Sequence, residues 1–205
     1  MDEEVFTVTE PLRLFLAGLA GAGKTEVAKI LAEQHHFGRV SLGDLCREEC
    51  RRRDWPQDRA HLQAAGDALR AGNPARLAAL ALAQVRGVQG PIVIEGVRLA
   101  AEARYLREHG VIGGAVEAPE AVRAARLLGR DGSSVVPVHR TEREAASLPV
   151  DLRLVNDGDR QAMERAVRLL VGRATLLHVQ QSTAHRGGRP APARRRLRET
   201  AGIER

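Results

Sequence analysis

Residues Gly18–Thr25 constrain the fold of this chain more than any other segment. Their sequence, Gly-Leu-Ala-Gly-Ala-Gly-Lys-Thr, matches the complete phosphate-binding pattern G-x-x-x-x-G-K-[ST]. Glycine lets the backbone curl until successive N–H groups point at one polyphosphate, and the helix that follows adds its N-terminal dipole. We therefore predict that one loop holds a nucleotide through residues Gly18, Ala20, Gly21, Ala22, Gly23, Lys24, Thr25 and Glu26.

Both flanks of this loop agree with the motif, which needs a buried strand before it and a helix after it. The apolar run 12–17 suits a parallel strand that is covered on both faces. Val27, Ile30 and Leu31 then recur at helical spacing. A plain glycine-rich turn with a solvated Lys24 is the weaker alternative, because eight residues and two flanks match. The segment predicts a nucleoside-triphosphate site in which Lys24 reaches the β- and γ-phosphates.

The composition favours one globular domain with a basic tail. A chain of 205 residues can build one full core, and an aromatic content of 2% predicts that this core is aliphatic. The net charge is +6, but residues 186–205 hold seven arginines against two glutamates. We expect a short N-terminal extension over 1–11, a domain over 12–180 and a disordered Arg-rich tail over 181–205. The tail could make a weak RNA contact, although a solubilising role is the simpler interpretation.

Nothing in the sequence indicates export or membrane insertion. The acidic N-terminus does not have the charged-then-apolar order of a signal peptide, and no apolar run approaches a membrane span. Cys46 and Cys50 lie four residues apart on a predicted helix, where a disulfide is disfavoured. We expect a cytoplasmic, reduced protein.

Strands and helices alternate along the chain, which predicts an α/β fold with a parallel sheet between two helical layers. Five strands are expected near residues 12–17, 39–41, 91–95, 111–116 and 152–155. The last helix is predicted over 159–171, with an extension toward Val179. Helices over about 43–88 are expected to bind an acceptor, and the weakly patterned segment of about 129–148 is expected to form a short lid.

Charged residues follow several of these strands, where open α/β sheets bind their ligands. Asp44 and Glu95 could hold Mg²⁺ together with the Thr25 hydroxyl, because magnesium prefers oxygen ligands and keeps much of its water. Arg47 and Arg98 could grip an acceptor phosphate as bidentate forks.

Two further arginines, Arg126 and Arg130, lie four residues apart on one predicted helix. They could close over the triphosphate and act with Lys24 on the charge that develops during phosphoryl transfer. Positioning and electrostatics carry such a reaction, so no nucleophilic side chain is required.

Taken together, these segments resemble the nucleoside monophosphate kinase family, in particular its short-lid, adenylate-kinase-like members. The resemblance covers about residues 12–171 and uses the P-loop, Ser41–Arg47, Glu95–Arg98, Arg126–Arg130 and Asn156–Gly158. It implies a P-loop kinase fold, with Asp157 and Gly158 packing on the donor base. It also implies that Arg140 and Arg143 of the lid, and Glu102 near Arg98, bind substrate.

The chain departs from the family at three positions of the acceptor side. Leu42 replaces a threonine, Glu95 replaces an aspartate, and Glu102 stands where adenylate kinases place a base-reading glutamine. An adenine-specific acceptor site is therefore not implied. Structural roles also stay open for several of these residues. Asp44 could be a helix N-cap, Arg47 could pair with Glu48 or Glu49, and Arg126 and Arg130 could be surface arginines.

The favoured function is transfer of the γ-phosphoryl group of MgATP to a nucleoside or deoxynucleoside monophosphate, or to a similar small nucleotide. A kinase for dephospho-CoA or another small molecule is the alternative within the enzyme class. An ATP-binding assembly or regulatory factor, with an RNA-contacting tail, is the alternative outside it.

Overall fold

Five strands and seven helices make up the part of the chain that the computed structural model describes, namely residues 10–131, 144–145 and 147–187. The strands are β1 (Arg13–Ala17), β2 (Gly38–Ser41), β3 (Ile92–Glu95), β4 (Ile112–Glu117) and β5 (Leu152–Val155). The helices are α1 (Lys24–His35), α2 (Leu42–Arg52), α3 (Arg59–Arg70), α4 (Arg76–Gln84), α5 (Ala100–Glu108), α6 (Glu120–Asp131) and α7 (Arg160–Gly187).

All five strands are parallel, in the order β2-β3-β1-β4-β5. Leu16 of β1 lies beside Glu95 of β3 on one side and Gly114 of β4 on the other. The carboxyl ends of the strands therefore meet at one edge of the sheet, where the loops that follow β1, β2, β3 and β5 converge. The predicted α/β class and five-stranded parallel sheet are confirmed.

Each face of the sheet carries its own aliphatic core, because β1 alternates its side chains between the two faces. Leu14 and Leu16 pack with residues of α1 and α7, whereas Phe15 and Ala17 pack with residues of α4 and α5. Strands covered on both faces explain why β1 and β3 read as continuous apolar runs. The three-layer arrangement follows from this double coverage.

The last helix is longer than the sequence pattern predicted, since α7 continues to Gly187. Its buried positions explain the extension: the helical spacing of Val167 and Leu170 continues beyond residue 171 with Ala174 and His178. The His178 ring Nε2 also lies 2.8 Å from the Glu10 carbonyl, which ties this part of α7 to the start of the described chain.

Two sequence expectations fall outside the described residues. Arg140 and Arg143 of the predicted lid belong to the segment 132–143, and the basic tail beyond residue 187 is likewise not described. Of the helices that are described, none is both long and apolar enough to cross a bilayer. Cys46 and Cys50 both lie on α2 as free thiols.

Candidate nucleotide-binding site

The loop between β1 and α1 has the curled backbone that the motif predicts. Gly18 adopts φ 140° and Gly23 adopts φ 98°, conformations that residues with a Cβ rarely reach. A Cβ on Gly18 would lie 2.2 Å from the Val116 carbonyl oxygen, and one on Gly23 would lie 2.2 Å from Asn156 Nδ2. Glycine is therefore required at both positions by backbone angle and by space.

Lys24 opens helix α1, and its side chain folds back over the loop. Its Nζ donates to the carbonyl oxygens of Gly18 at 2.7 Å and Leu19 at 2.9 Å. The ammonium group is thus held above the loop, where the motif expects it to meet the β- and γ-phosphates. Thr25 follows in the first turn, and the Glu26 carboxylate accepts from Arg160 Nη1 at 3.0 Å.

Asn156 is a residue of this loop region that the sequence did not assign to the site. It is 2% exposed, and its Nδ2 donates to the Ala22 carbonyl oxygen at 2.8 Å. Its backbone N–H donates to the Glu117 carbonyl oxygen at 2.7 Å, which fixes the residue at the ends of β4 and β5. A signal was present in the sequence: an amide side chain directly after an apolar strand and before Asp157-Gly158.

The structure places Arg126 of α6 on the same loop. Its Nη1 donates to the Gly21 carbonyl oxygen at 3.3 Å, and its Nη2 donates to Asn156 Oδ1 at 3.4 Å. Arg126 is therefore beside the phosphate loop rather than on a remote surface. Arg130 lies one turn further along α6, near its end. Asp157 and Gly158 follow Asn156 directly and are exposed at the same edge.

Glu95 ends β3 next to β1, and it is 6% exposed. Its carboxylate accepts from Arg39 Nη2 at 2.5 Å. Arg39 of β2 is a partner that the sequence did not predict. The hydrogen bond from Arg39 places the Glu95 carboxylate at the end of β3, beside the strand that leads into the phosphate loop.

The Thr25 hydroxyl and the Glu95 carboxylate are oxygen donors of the kind that Mg²⁺ takes in proteins. Thr25 lies in α1, after the loop that follows β1, and Glu95 ends β3, which pairs with β1. Asp44 is placed differently, since its side chain is 69% exposed and bonds to Arg47. Among the described residues, no group of three or more His, Cys, Asp or Glu side chains is arranged so that it could hold a metal ion.

The start of α2 carries the predicted acceptor residues Asp44 and Arg47. Ser41 is the N-cap of this helix, since its Oγ accepts from the Asp44 N–H at 3.3 Å. The alternative of Asp44 as the N-cap is therefore wrong. Arg47 Nη1 donates to Asp44 Oδ1, whereas Glu48 bonds to Arg51 and Glu49 bonds to Arg52 and Arg53. The alternative pairing of Arg47 with Glu48 or Glu49 is not observed.

Glu102 lies at the first turn of α5 and is fully buried. Its Oε2 accepts from the backbone N–H groups of Arg98 at 3.0 Å and Leu99 at 3.1 Å. Its Oε1 accepts from Arg70 Nε at 3.1 Å and Nη2 at 2.8 Å. Both carboxylate oxygens are thus engaged within the protein, and Glu102 fixes the backbone from which the Arg98 side chain extends. Arg70 of α3 is a second partner that the sequence did not predict.

Cys46 of α2 lies near this Arg70–Glu102 pair. Burial raises the pKa of the Cys46 thiol, while the positive charge of Arg70 acts in the opposite direction. The Cys46 side chain is partly buried and packs against the hydrophobic core on this face of the sheet.

Comparison with known proteins places this arrangement in a family. A protein-family model described as an AAA domain matches residues 14–146, more than half of the chain and including the whole phosphate loop. The chain belongs to this AAA domain family. A search of curated proteins finds no match.

Solved structures share the fold of this AAA domain protein at low sequence identity. TT1252 from Thermus thermophilus is 18% identical with a TM-score of 0.55, covering 80% of this chain and 98% of its own. A gluconokinase from Sinorhizobium meliloti 1021 is 17% identical with a TM-score of 0.54, covering 83% of this chain and 97% of its own. A shikimate kinase from Aquifex aeolicus VF5 is 12% identical with a TM-score of 0.50, covering 80% and 99%. The predicted P-loop kinase fold is confirmed.

Proposed function

We propose that this protein is an ATP-dependent phosphotransferase that moves the γ-phosphoryl group of MgATP to a small, anionic acceptor, with a nucleoside or deoxynucleoside monophosphate as the favoured class. One observation carries the proposal: a second group of cations stands at the edge of the sheet that holds the phosphate loop. Arg47 and Arg98 follow β2 and β3, whereas the loop follows β1. Two separate anion sites on one edge suit a donor and an acceptor.

The donor side has the parts that phosphoryl transfer needs. Loop N–H groups and Lys24 would bind the triphosphate, and Arg126 would stabilise charge beside Gly21. Arg130, Arg140 and Arg143 are proposed to add positive charge from α6 and the lid. Asp157 and Gly158 are proposed to contact the donor base. Magnesium, held through Thr25 and Glu95, would neutralise phosphate charge when bound.

The acceptor side supports a phosphate-bearing substrate more strongly than it supports a particular base. Arg47 is 46% exposed at its side chain and bonds only to a neighbouring exposed carboxylate in its own helix, Asp44, among the partners described. An incoming phosphate could displace Asp44 because exposed ion pairs are weak. Both carboxylate oxygens of Glu102 already accept hydrogen bonds within the protein. We therefore propose that Glu102 positions Arg98 and Arg70, and that other residues of 54–90 recognise the base.

A second candidate is a kinase for another small molecule, such as dephospho-CoA or a sugar acid. The fold similarity to a gluconokinase favours keeping this class in the test. A non-kinase ATP-binding factor would instead hydrolyse ATP without an acceptor, and its RNA contact would depend on the tail.

The decisive experiment measures ADP release from MgATP with a panel of ribo- and deoxynucleoside monophosphates, dephospho-CoA and sugar acids. We expect one acceptor class to raise ADP release well above the rate with ATP alone. Lys24→Ala should lower that rate by at least about a hundredfold, because a cation at the transferring group is lost. Lys29→Ala is the matched control, since this second lysine lies 3.8 Å from Glu26 on the exposed side of α1.

Two outcomes would contradict the proposal. Acceptor-independent hydrolysis across the whole panel would favour an ATP-binding factor. Equal losses of ADP release in Lys24→Ala and Lys29→Ala would show that Lys24 of the phosphate loop has no specific role in the reaction.

For the acceptor site, Arg98→Met should raise the acceptor KM with little change in the KM for ATP.

A further inference from the structure

Arg123 of α6 is a buried arginine that forms no ion pair with any residue the structure describes. The residue is 8% exposed, and its Nε donates to the Ala118 carbonyl oxygen at 3.3 Å. Its Nη1 is buried without a hydrogen-bond partner, and no ion pair involves Arg123 among the described residues. Arginine stays protonated in proteins, so this is a buried cation with an unused donor.

Such a group is unfavourable unless something else pairs with it. A buried donor that lacks a partner keeps its full desolvation cost, and the cost is larger for a charged group. A leucine or methionine in the same position would fill the space without that cost. Among the described residues, none supplies an anionic partner that would offset this cost.

The space next to Arg123 is a pocket of about 210 Å³. Three residues of the phosphate loop line it (Gly18, Leu19 and Ala22), together with the end of β4, Ala118 and Ala145. The Arg123 backbone itself lies against the loop, since a Cβ on Gly21 would come 2.7 Å from the Arg123 carbonyl oxygen. Pockets for drug-sized ligands are larger, about 300–1,000 Å³, so this one suits a small group.

The pocket lining contains one acidic side chain, Glu117, and it does not pair with Arg123. Its carboxylate accepts from Arg153 Nη1 of β5. The remaining lining residues are glycine, alanine, leucine and valine, which carry no charge. Arg123 is thus the one cationic residue among those that line this pocket.

We propose that Arg123 forms an oxyanion subsite beside the phosphate loop, distinct from the loop N–H groups and Lys24. Its ligand is a phosphoryl or carboxylate group, which a guanidinium binds through parallel N–H donors. The group is either the γ-phosphoryl of the bound nucleotide or a separate small anion. Binding at this subsite does not require turnover, so its test is independent of the proposed transfer reaction.

The test compares Arg123→Met with Arg13→Met in the full chain. Arg13 is a matched control, because its Nε is also buried without a partner but lies at the start of β1, at the opposite edge of the sheet. Binding of inorganic phosphate, ADP and a non-hydrolysable ATP analogue is measured by calorimetry. Thermal unfolding is recorded with and without phosphate.

We expect Arg123→Met to bind the analogue or phosphate at least about tenfold more weakly than the wild type, while ADP binding and Arg13→Met are unchanged. Weaker binding of the analogue alone assigns the subsite to the γ-phosphoryl group, and weaker binding of phosphate assigns it to a separate anion. Without any anion, Arg123→Met should unfold at the same temperature as the wild type or higher, because an unpaired buried charge is gone.

The proposal is overturned if both probes bind Arg123→Met as they bind the wild type. It is also overturned if ADP and the analogue weaken equally while phosphate binding is unchanged, since that result reports a distorted loop. If Arg123→Met does not fold, crystals of the wild-type protein grown with phosphate or the analogue decide the question. An anion oxygen within hydrogen-bond distance of the Arg123 guanidinium supports the subsite, and its absence with both ligands excludes it.

Discussion

The donor and acceptor sides of the sheet edge are built in opposite ways. Around the phosphate loop, side chains from distant parts of the chain converge: Asn156 bonds to Ala22 and Arg126 bonds to Gly21. On helix α2 of the acceptor side, the charged residues bond to neighbours three or four positions away, as Arg47 does to Asp44. The first arrangement depends on the whole fold, and the second depends on one helix.

This difference separates a preformed site from one that a ligand can rearrange. Tertiary hydrogen bonds to buried groups are costly to break, so the loop keeps its shape without a nucleotide. Exposed pairs within one helix contribute little to stability, so under the proposed function an acceptor phosphate would replace Asp44 as the partner of Arg47. One contact on the acceptor side breaks this pattern, namely the buried pair of Arg70 and Glu102.

Removal of Arg70 is the change for which we expect the largest loss of stability. Arg70→Met leaves the fully buried Glu102 carboxylate without its cation, which should lower the free energy of unfolding by about 3–5 kcal/mol. Arg47→Met is the control, because that pair is exposed, and its effect should stay within about 0.5 kcal/mol. Urea unfolding measures both.

The double variant R70M/E102Q sharpens this test. With the buried charge removed, much of the loss should be recovered, because the two residues form one coupled pair. Similar losses of stability in Arg70→Met and Arg47→Met, or additive losses in the double variant, would show that the buried Arg70–Glu102 pair does not stabilise this part of the fold.

Loss of the Asn156 side chain should have a smaller effect on stability and a direct effect on the donor site. Asn156→Ala leaves the Ala22 carbonyl without its donor and removes the acceptor of Arg126 Nη2, so we expect about 1–3 kcal/mol less stability. ATP binding, measured by calorimetry, should weaken as the loop loosens. Asn73→Ala is the control, because its exposed Oδ1 accepts from the Ala75 N–H and water can replace it. Unchanged ATP affinity in Asn156→Ala would mean that the loop keeps its shape without this contact.

The sequence predicted the parts of the molecule that local patterns determine. Apolar runs located the five strands, and eight consecutive residues located the phosphate loop. It did not predict the partners that sheet order brings together: Arg39 with Glu95, Arg70 with Glu102, and Asn156 with Ala22. These residues are 32 to 134 positions apart, so no local spacing reveals them. Arg123 is harder still to predict, because arginines are mostly exposed and only the structure shows that this one is buried.

The pH dependence of stability can show whether ion pairs within α2, centred on Glu49, stabilise this helix. Hydrogen bonds from Arg52 and Arg53 lower the pKa of the Glu49 carboxyl from its ordinary 4.5 to about 2. A lowered pKa in the folded state means that the pairing contributes stability above the ordinary pKa and loses it as pH falls toward the folded value. The stability difference between wild type and Glu49→Gln should therefore be constant near about pH 7 and decline below about pH 4.5.

Glu48→Gln is the control for this measurement, because Glu48 bonds to Arg51 on the same helix but its side chain is 68% exposed. Its effect on stability should be the smallest of all, since exposed pairs contribute little at any pH. Urea unfolding of the three proteins at several pH values gives the two differences directly. A Glu49→Gln difference that stays constant down to about pH 2 would show that Arg52 and Arg53 do not hold the carboxylate through its charge. In that case α2 would be stabilised by tertiary contacts, as the phosphate loop is. Only the Asp44–Arg47 pair would then distinguish the local ion pairing of α2 from the tertiary contacts around the loop.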